Sequence, residues 1–155
     1  MARKVDKRLV ICSLLIAVGL VIVVLGVLRG VTGTAAANLP KSIEELIPSV
    51  GATNVPNQTS IFVDLEAGYT GELIVDGVLL PTISEDQVRD VAPGEQAKPA
   101  LGTVYAEGNA TLTFQPIKGA PIESLDEGLH EVVVRYWPVT NPNAIRQFPW
   151  QFTVV

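Results

Sequence analysis

Residues Leu9 to Leu28 form an unbroken run of 20 residues with no charge and no proline, and nothing in it is more polar than Ser13. A helix of that length rises about 30 Å, the thickness of a bilayer's hydrocarbon core. The run predicts one N-terminal transmembrane α-helix over 9–28, closed by Arg29. Ahead of it, Arg3, Lys4, Lys7 and Arg8 stand against Asp6, a balance of +3; the whole chain carries −5, which leaves −8 from Leu9 onward. Lys and Arg beside a span hold their side in the cytoplasm. Residues 1–8 are therefore expected as a cytoplasmic basic flank against anionic headgroups of the lipid bilayer. The acidic remainder is expected outside the plasma membrane as an extracytoplasmic domain.

The basic flank, the apolar run and Ala35-Ala36-Ala37 also match a secretory signal with a small-residue cleavage site. The apolar region of a cleaved signal usually holds about 7–15 residues, so the longer run favours an uncleaved signal-anchor. A mature N-terminus at Asn38 would overturn that reading. Cys12, the one cysteine, falls inside the run, so the ectodomain has no disulfide and must be stabilised by packing. Gly19 and Gly26 lie seven apart, near one face of a helix, and are candidate positions for packing against another span.

Residues 29–47 read as a linker. Gly30, Gly33 and the three alanines have little to bury, and Ser42 with Glu45 fits a capping box, predicting one helical turn that ends at Ile47 before Pro48. About 120 residues then remain outside the span, enough for one core and too few for two ordinary domains. A multidomain enzyme and a polytopic transporter are excluded.

From Pro48 the signals are those of strands. Ile61, Val63 and Leu65 alternate with Phe62, Asp64 and Glu66; Leu73 and Val75 alternate with Glu72, Ile74 and Asp76, ahead of the turn dipeptide Asp76-Gly77. Leu112 and Phe114 oppose Thr111, Thr113 and Gln115. His130, Val132, Val134 and Tyr136 share one face, and Phe148, Trp150, Phe152 and Val154 close the chain with the same period. Pro149 inside this last run has no N–H to donate, which predicts an edge strand. Ser84 to Asp90 is a second short helical candidate, and Leu80 to Thr103 holds no strand that the pattern can place. Short strands with Pro, Gly and Asn between them predict an all-β antiparallel β-sandwich over 48–155.

Pro48-Ser49-Val50-Gly51-Ala52-Thr53-Asn54-Val55-Pro56, running into the strand at Ile61, resembles the opening of bacterial Ig-like domains. Trp150-Gln151-Phe152-Thr153-Val154 is similar to the aromatic strand that often closes them, and Glu127-Gly128-Leu129-His130-Glu131-Val132 to the approach to a late core strand. The resemblance covers about residues 48–155 and implies an Ig-like sandwich used for adhesion, spacing or docking. It carries over no catalytic residue.

The chemistry-bearing residues are few. A transition-metal site of the kind some periplasmic sandwiches use for copper needs several His or Met ligands; the chain has one His, one Met at its start and Cys12. His130 falls on an inward face and reads as a hydrogen-bonded core or rim histidine. A calcium site would have to gather Asp64, Glu66, Glu72, Asp76, Glu85, Asp86 and Asp90 on one side, without EF-hand spacing, against the simpler reading of a solvated acidic face. No Ser lies in a Gly-flanked elbow that would serve a relay through His130, and no glycine-rich loop is built to cradle phosphate. The acidic balance argues against nucleic acid. Asn57-Gln58-Thr59 and Asn109-Ala110-Thr111 fit the glycosylation pattern, read as coincidence in a bacterial chain. No enzyme, cofactor or metal is expected.

Surface remains. Phe62, Ile74, Val133 and Trp137 are expected on outward faces and form the candidate partner surface. The expectation is a single-pass membrane protein whose sandwich is an accessory or docking subunit beside integral membrane protein subunits. The alternative is a free-standing cell-envelope binding module for polysaccharide or peptide, using Trp137 or Trp150.

Overall fold

Residues 39–89 and 99–155 are described in a computed structural model, and all belong to the compact unit Thr34–Val155. The expected span 9–28 with Gly19 and Gly26, the basic flank, Ala35 to Ala37 and Asp90 lie outside the described residues. The regular secondary structure of the described residues is almost wholly β. Its elements are β1 (Ile43–Ile47), β2 (Ile61–Leu65), β3 (Tyr69–Val75), β4 (Val78–Leu79), β5 (Thr82–Ser84), a short helix α1 (Glu85–Arg89), β6 (Thr103–Ala106), β7 (Thr111–Phe114), β8 (Gly128–Pro138) and β9 (Arg146–Val154). They make a first sheet of order β1-β2-β7-β6-β5 and a second of order β4-β3-β8-β9. Among the described residues no helix is long and apolar enough to cross a membrane.

The period-two alternation is what brings the two sheets together as a sandwich. Ile61, Val63 and Leu65 from β2, Leu112 and Phe114 from β7, Leu73 and Val75 from β3, and Val132, Val134 and Phe152 from β8 and β9 are all fully buried or within 1% of it. Each such side chain contributes about 1.5–3 kcal/mol by leaving water. Tyr136 completes the layer, and its place depends on Gly71 across the ladder: a Cβ there would collide with the Arg135 carbonyl and press on the Tyr136 side chain. Asp76 and Gly77 both have positive φ, 48° and 79°, the backbone of a two-residue hairpin turn whose twist suits the flanking strands β3 and β4.

Three expectations are corrected. Ser42 to Ile47 is no helical turn: β1 pairs antiparallel with β2, and a register irregularity between Ile43 and Glu45 lets Ile43 and Leu46 both point inward three residues apart. A β-bulge thus imitates helical spacing. The sandwich accordingly begins ahead of Pro48, inside the segment read as linker. Nor is it wholly antiparallel, because β5 pairs parallel with β6. The segment Leu80 to Thr103, in which the sequence pattern places no strand, contributes β5 and the start of β6; their three and four residues are too short to show a period.

β9 is an edge strand, as Pro149 predicts. Much of its outer side is bonded: Gly51 N–H donates to Gln151 O, Thr153 N–H to Ala52 O, and Val55 N–H to Thr153 O. Pro149 has the same parity as Gln151 and Thr153, so its missing N–H lies on the part of the edge left open. The pairings Ile43 with Leu65, Tyr69 with Pro138, Tyr136 with Arg146 and Ala106 with Thr111 set the ends of the sandwich. One end collects the start of β1, the turn at 66–68, the turn at 107–110 and the loop 139–145. The other holds the Asp76-Gly77 turn and the long loop 115–127.

Candidate functional site

Period two tells which side of a strand a residue occupies, and the registers tell which sheet carries it. On the outer face of the second sheet, Ile74 of β3 stands opposite Leu79 of β4 and Val133 of β8, and Val133 stands opposite Pro149 of β9. Four apolar residues thus form one row across every strand of that sheet. Leu79 is 52% exposed, Pro149 is exposed, and Ile74 and Val133 are half-buried by their neighbours. The next row holds Glu72 and Arg135, joined by an ion pair of 2.7 Å, and Gln147. The row beyond pairs Thr70 with half-buried Trp137.

Phe62 is not part of this surface. It lies on β2 in the first sheet, opposite Ile47 and Thr113, and faces away from the other three candidates. There it belongs to a separate apolar row, continued by Val104 of β6 and Ile83 of β5. Ile74, Val133 and Trp137 do share one face, and the structure adds Leu79 and Pro149. Leu79 was legible: a two-residue turn at Asp76-Gly77 places it against Ile74. The sequence pattern marks Pro149 only through its missing N–H.

The acidic residues of the calcium reading are dispersed. Asp64 faces outward from the first sheet and Glu72 outward from the second, with the core between them; Asp76 sits in the β3–β4 turn, and Glu85 and Asp86 on α1. Among the described residues no three His, Cys, Asp or Glu side chains come together as a metal site.

His130 is 8% exposed and its ring stacks on Phe152 at 5.7 Å. Nδ1 lies 2.7 Å from Asp76 Oδ2, and Nε2 lies 2.6 Å from the Asp126 carbonyl. Both partners are acceptors, and a neutral imidazole has one N–H to give. The arrangement therefore favours the doubly protonated ring. Burial alone pulls the His130 pKa down, but the Asp126 carbonyl, the Asp76 hydrogen bond and the negative charges of both aspartates outweigh it, and the net shift is upward. Asp76 Oδ1 also accepts from the Glu131 N–H at 3.0 Å. His130 thus ties the β3–β4 turn to the loop before β8, which is a structural duty.

A polar cleft of about 450 Å³ lies in the loop 115–127, lined by Gln58, Gln115, Ile117, Lys118, Glu123 and Ser124. Gln115 Nε2 donates to Gln58 O at 3.0 Å, and Glu123 Oε1 accepts from the Gly119 N–H at 2.9 Å. Trp150, one of the two aromatics of the binding-module alternative, is closed to a ligand: it is 2% exposed and its Nε1 donates to Pro48 O.

No family model matches the chain. No curated protein matches it. Among solved structures it is similar to CopC from Methylosinus trichosporium OB3b, at 16% identity and a TM-score of 0.46, over 72% of this chain and 90% of that one.

Proposed function

We propose that the chain is a non-catalytic, membrane-anchored extracytoplasmic protein whose Ig-like β-sandwich is a docking subunit of a larger membrane assembly. The observation that carries this reading is the apolar row Leu79, Ile74, Val133 and Pro149 on the outer face of the second sheet, with Trp137 nearby. An outward sheet face in water ordinarily alternates to polar residues. Interface cores are depleted of charge and bordered by a polar rim; here the row itself is uncharged and the Glu72–Arg135 pair borders it. The occupant is an apolar surface of an extracytoplasmic part of an integral membrane protein. The span at 9–28 would keep the two together at high effective concentration.

The test is gentle detergent extraction of the full chain from native membranes, followed by size analysis and mass spectrometry. The reading expects a stoichiometric membrane protein that is lost when Ile74→Ser and Val133→Ser are combined, while the melting temperature of the variant stays close to that of the parent. A monomer from extracts in which other complexes survive, or a partner retained by the double variant, refutes it. In that case the envelope-binding reading takes its place. The polar cleft with Gln58, Gln115, Lys118 and Glu123 favours that second reading, since such groups hydrogen-bond peptide or sugar.

A further inference from the structure

The end of the sandwich where the chain arrives from residue 38 is set by the registers. β1 begins there, because Ile43 pairs with Leu65, and the β8–β9 hairpin closes there, because Tyr69 pairs with Pro138 and Tyr136 with Arg146. The Val139 N–H donates to the Gly68 carbonyl at 2.9 Å, and the Glu66 N–H donates to the Ser42 carbonyl at 3.1 Å, so the hairpin loop and the first described residues are joined through one turn. That loop carries Val139 at 51% and Ile145 at 46% exposure, next to half-buried Trp137. Residues 139–145 hold no charge, and Arg146 stands at their base. The loop is internally bonded, Asn141 N–H to Pro138 O and Ala144 N–H to Asn141 O. These bonds, with that of the Val139 N–H, hold part of the loop's backbone, which lowers the cost of bringing it to the polar headgroup region.

The run 9–28 is separated from Leu39 by ten residues, 29–38. Ten residues reach at most about 35 Å even when fully extended. We infer that the β8–β9 loop docks on the bilayer surface, with Trp137, Val139 and Ile145 at headgroup level. The inference rests on the anchored reading above. Tryptophan is the side chain most at home at that level, and exposed Val and Ile beside it favour the acyl boundary. The acidic groups toward this end include Glu44, Glu66, Glu85, Asp86 and Glu107, on β1, on other turns and on α1, while the β8–β9 loop itself is uncharged, so attachment through it is apolar, with little dependence on salt or on anionic lipid. In this pose the strands rise from the membrane and the row through Ile74 stands five residues above Tyr69, about 17 Å up the strand, open to a neighbour in the same membrane.

The full chain, with Cys12→Ser, is reconstituted in phosphatidylcholine vesicles and labelled with an environment-sensitive dye at Val139→Cys or at Ile145→Cys. The comparison position is Leu129→Cys, 66% exposed at the far end. Docking expects nitroxide lipids to quench the 139 and 145 labels several-fold more than the 129 label, unchanged in high salt, with aqueous iodide showing the reverse order. Labels at 139 and 145 as open to iodide as the one at 129 overturn the docking, and labels shielded from both quenchers overturn it in favour of a protein occupant. Alkaline carbonate extraction separates this from the anchor itself. A chain retained in the vesicles with an iodide-accessible loop refutes docking alone; a chain released by carbonate refutes the anchored reading, and docking falls with it.

Discussion

Replacing His130 by alanine removes a ring that is bonded at both nitrogens and stacked on Phe152. A hydrogen bond between charged groups contributes about 1.5–3 kcal/mol, and the low end applies here because the Asp76 side chain is 41% exposed and water screens it. The bond to the Asp126 carbonyl adds about 1 kcal/mol and the stacked contact somewhat less. His130→Ala is expected to cost about 3 kcal/mol at about pH 6, a fall of roughly 12 °C in Tm for a domain of this size.

The pH dependence follows from the direction of the shift. The folded-state pKa of His130 lies above its unfolded value, so its contribution is complete below about pH 6.5 and is lost as pH rises through the raised folded value. Above that raised value one nitrogen has no proton, and the gap between parent and variant narrows. Urea unfolding of both proteins, followed by tryptophan fluorescence across about pH 6 to 9, reads this directly. His130 is the one histidine, so its ring resonances titrate without overlap. A gap that is constant or widens with pH would show a neutral imidazole and refute the doubly donating geometry.

Two further substitutions test the packing. Gly71→Ala puts a methyl against the Arg135 carbonyl and Tyr136, and should cost about 1–3 kcal/mol by chemical denaturation; a neutral result would mean that β3 and β8 can separate at that pair. Trp150→Phe keeps the buried ring but leaves the Pro48 carbonyl without its donor, and should cost about 1–3 kcal/mol in the same assay.

The sequence by itself determined the inward sets of β2, β3, β7, β8 and β9, the turn at Asp76-Gly77, the edge position of Pro149 and the helix at Glu85–Arg89. Each is written in a local pattern, either a period of two or a residue with a restricted backbone. It also pointed to His130 as a bonded histidine, because the residue falls in an inward set. Only the tertiary structure decided which sheet receives each strand. Phe62 and Ile74 have identical alternation signals, and pairing with β7 or with β8 sends them to opposite sides of the molecule. β1 was hidden because a bulge imitates helical spacing, and β5 because a three-residue parallel strand has too few alternations to register. The candidate surface belongs to the same class. Leu79, Ile74, Val133 and Pro149 come from four strands, and no pattern within any one of them says that they form a row. Periodicity is a property of neighbours along the chain; a surface is made by hydrogen bonds between strands distant in sequence.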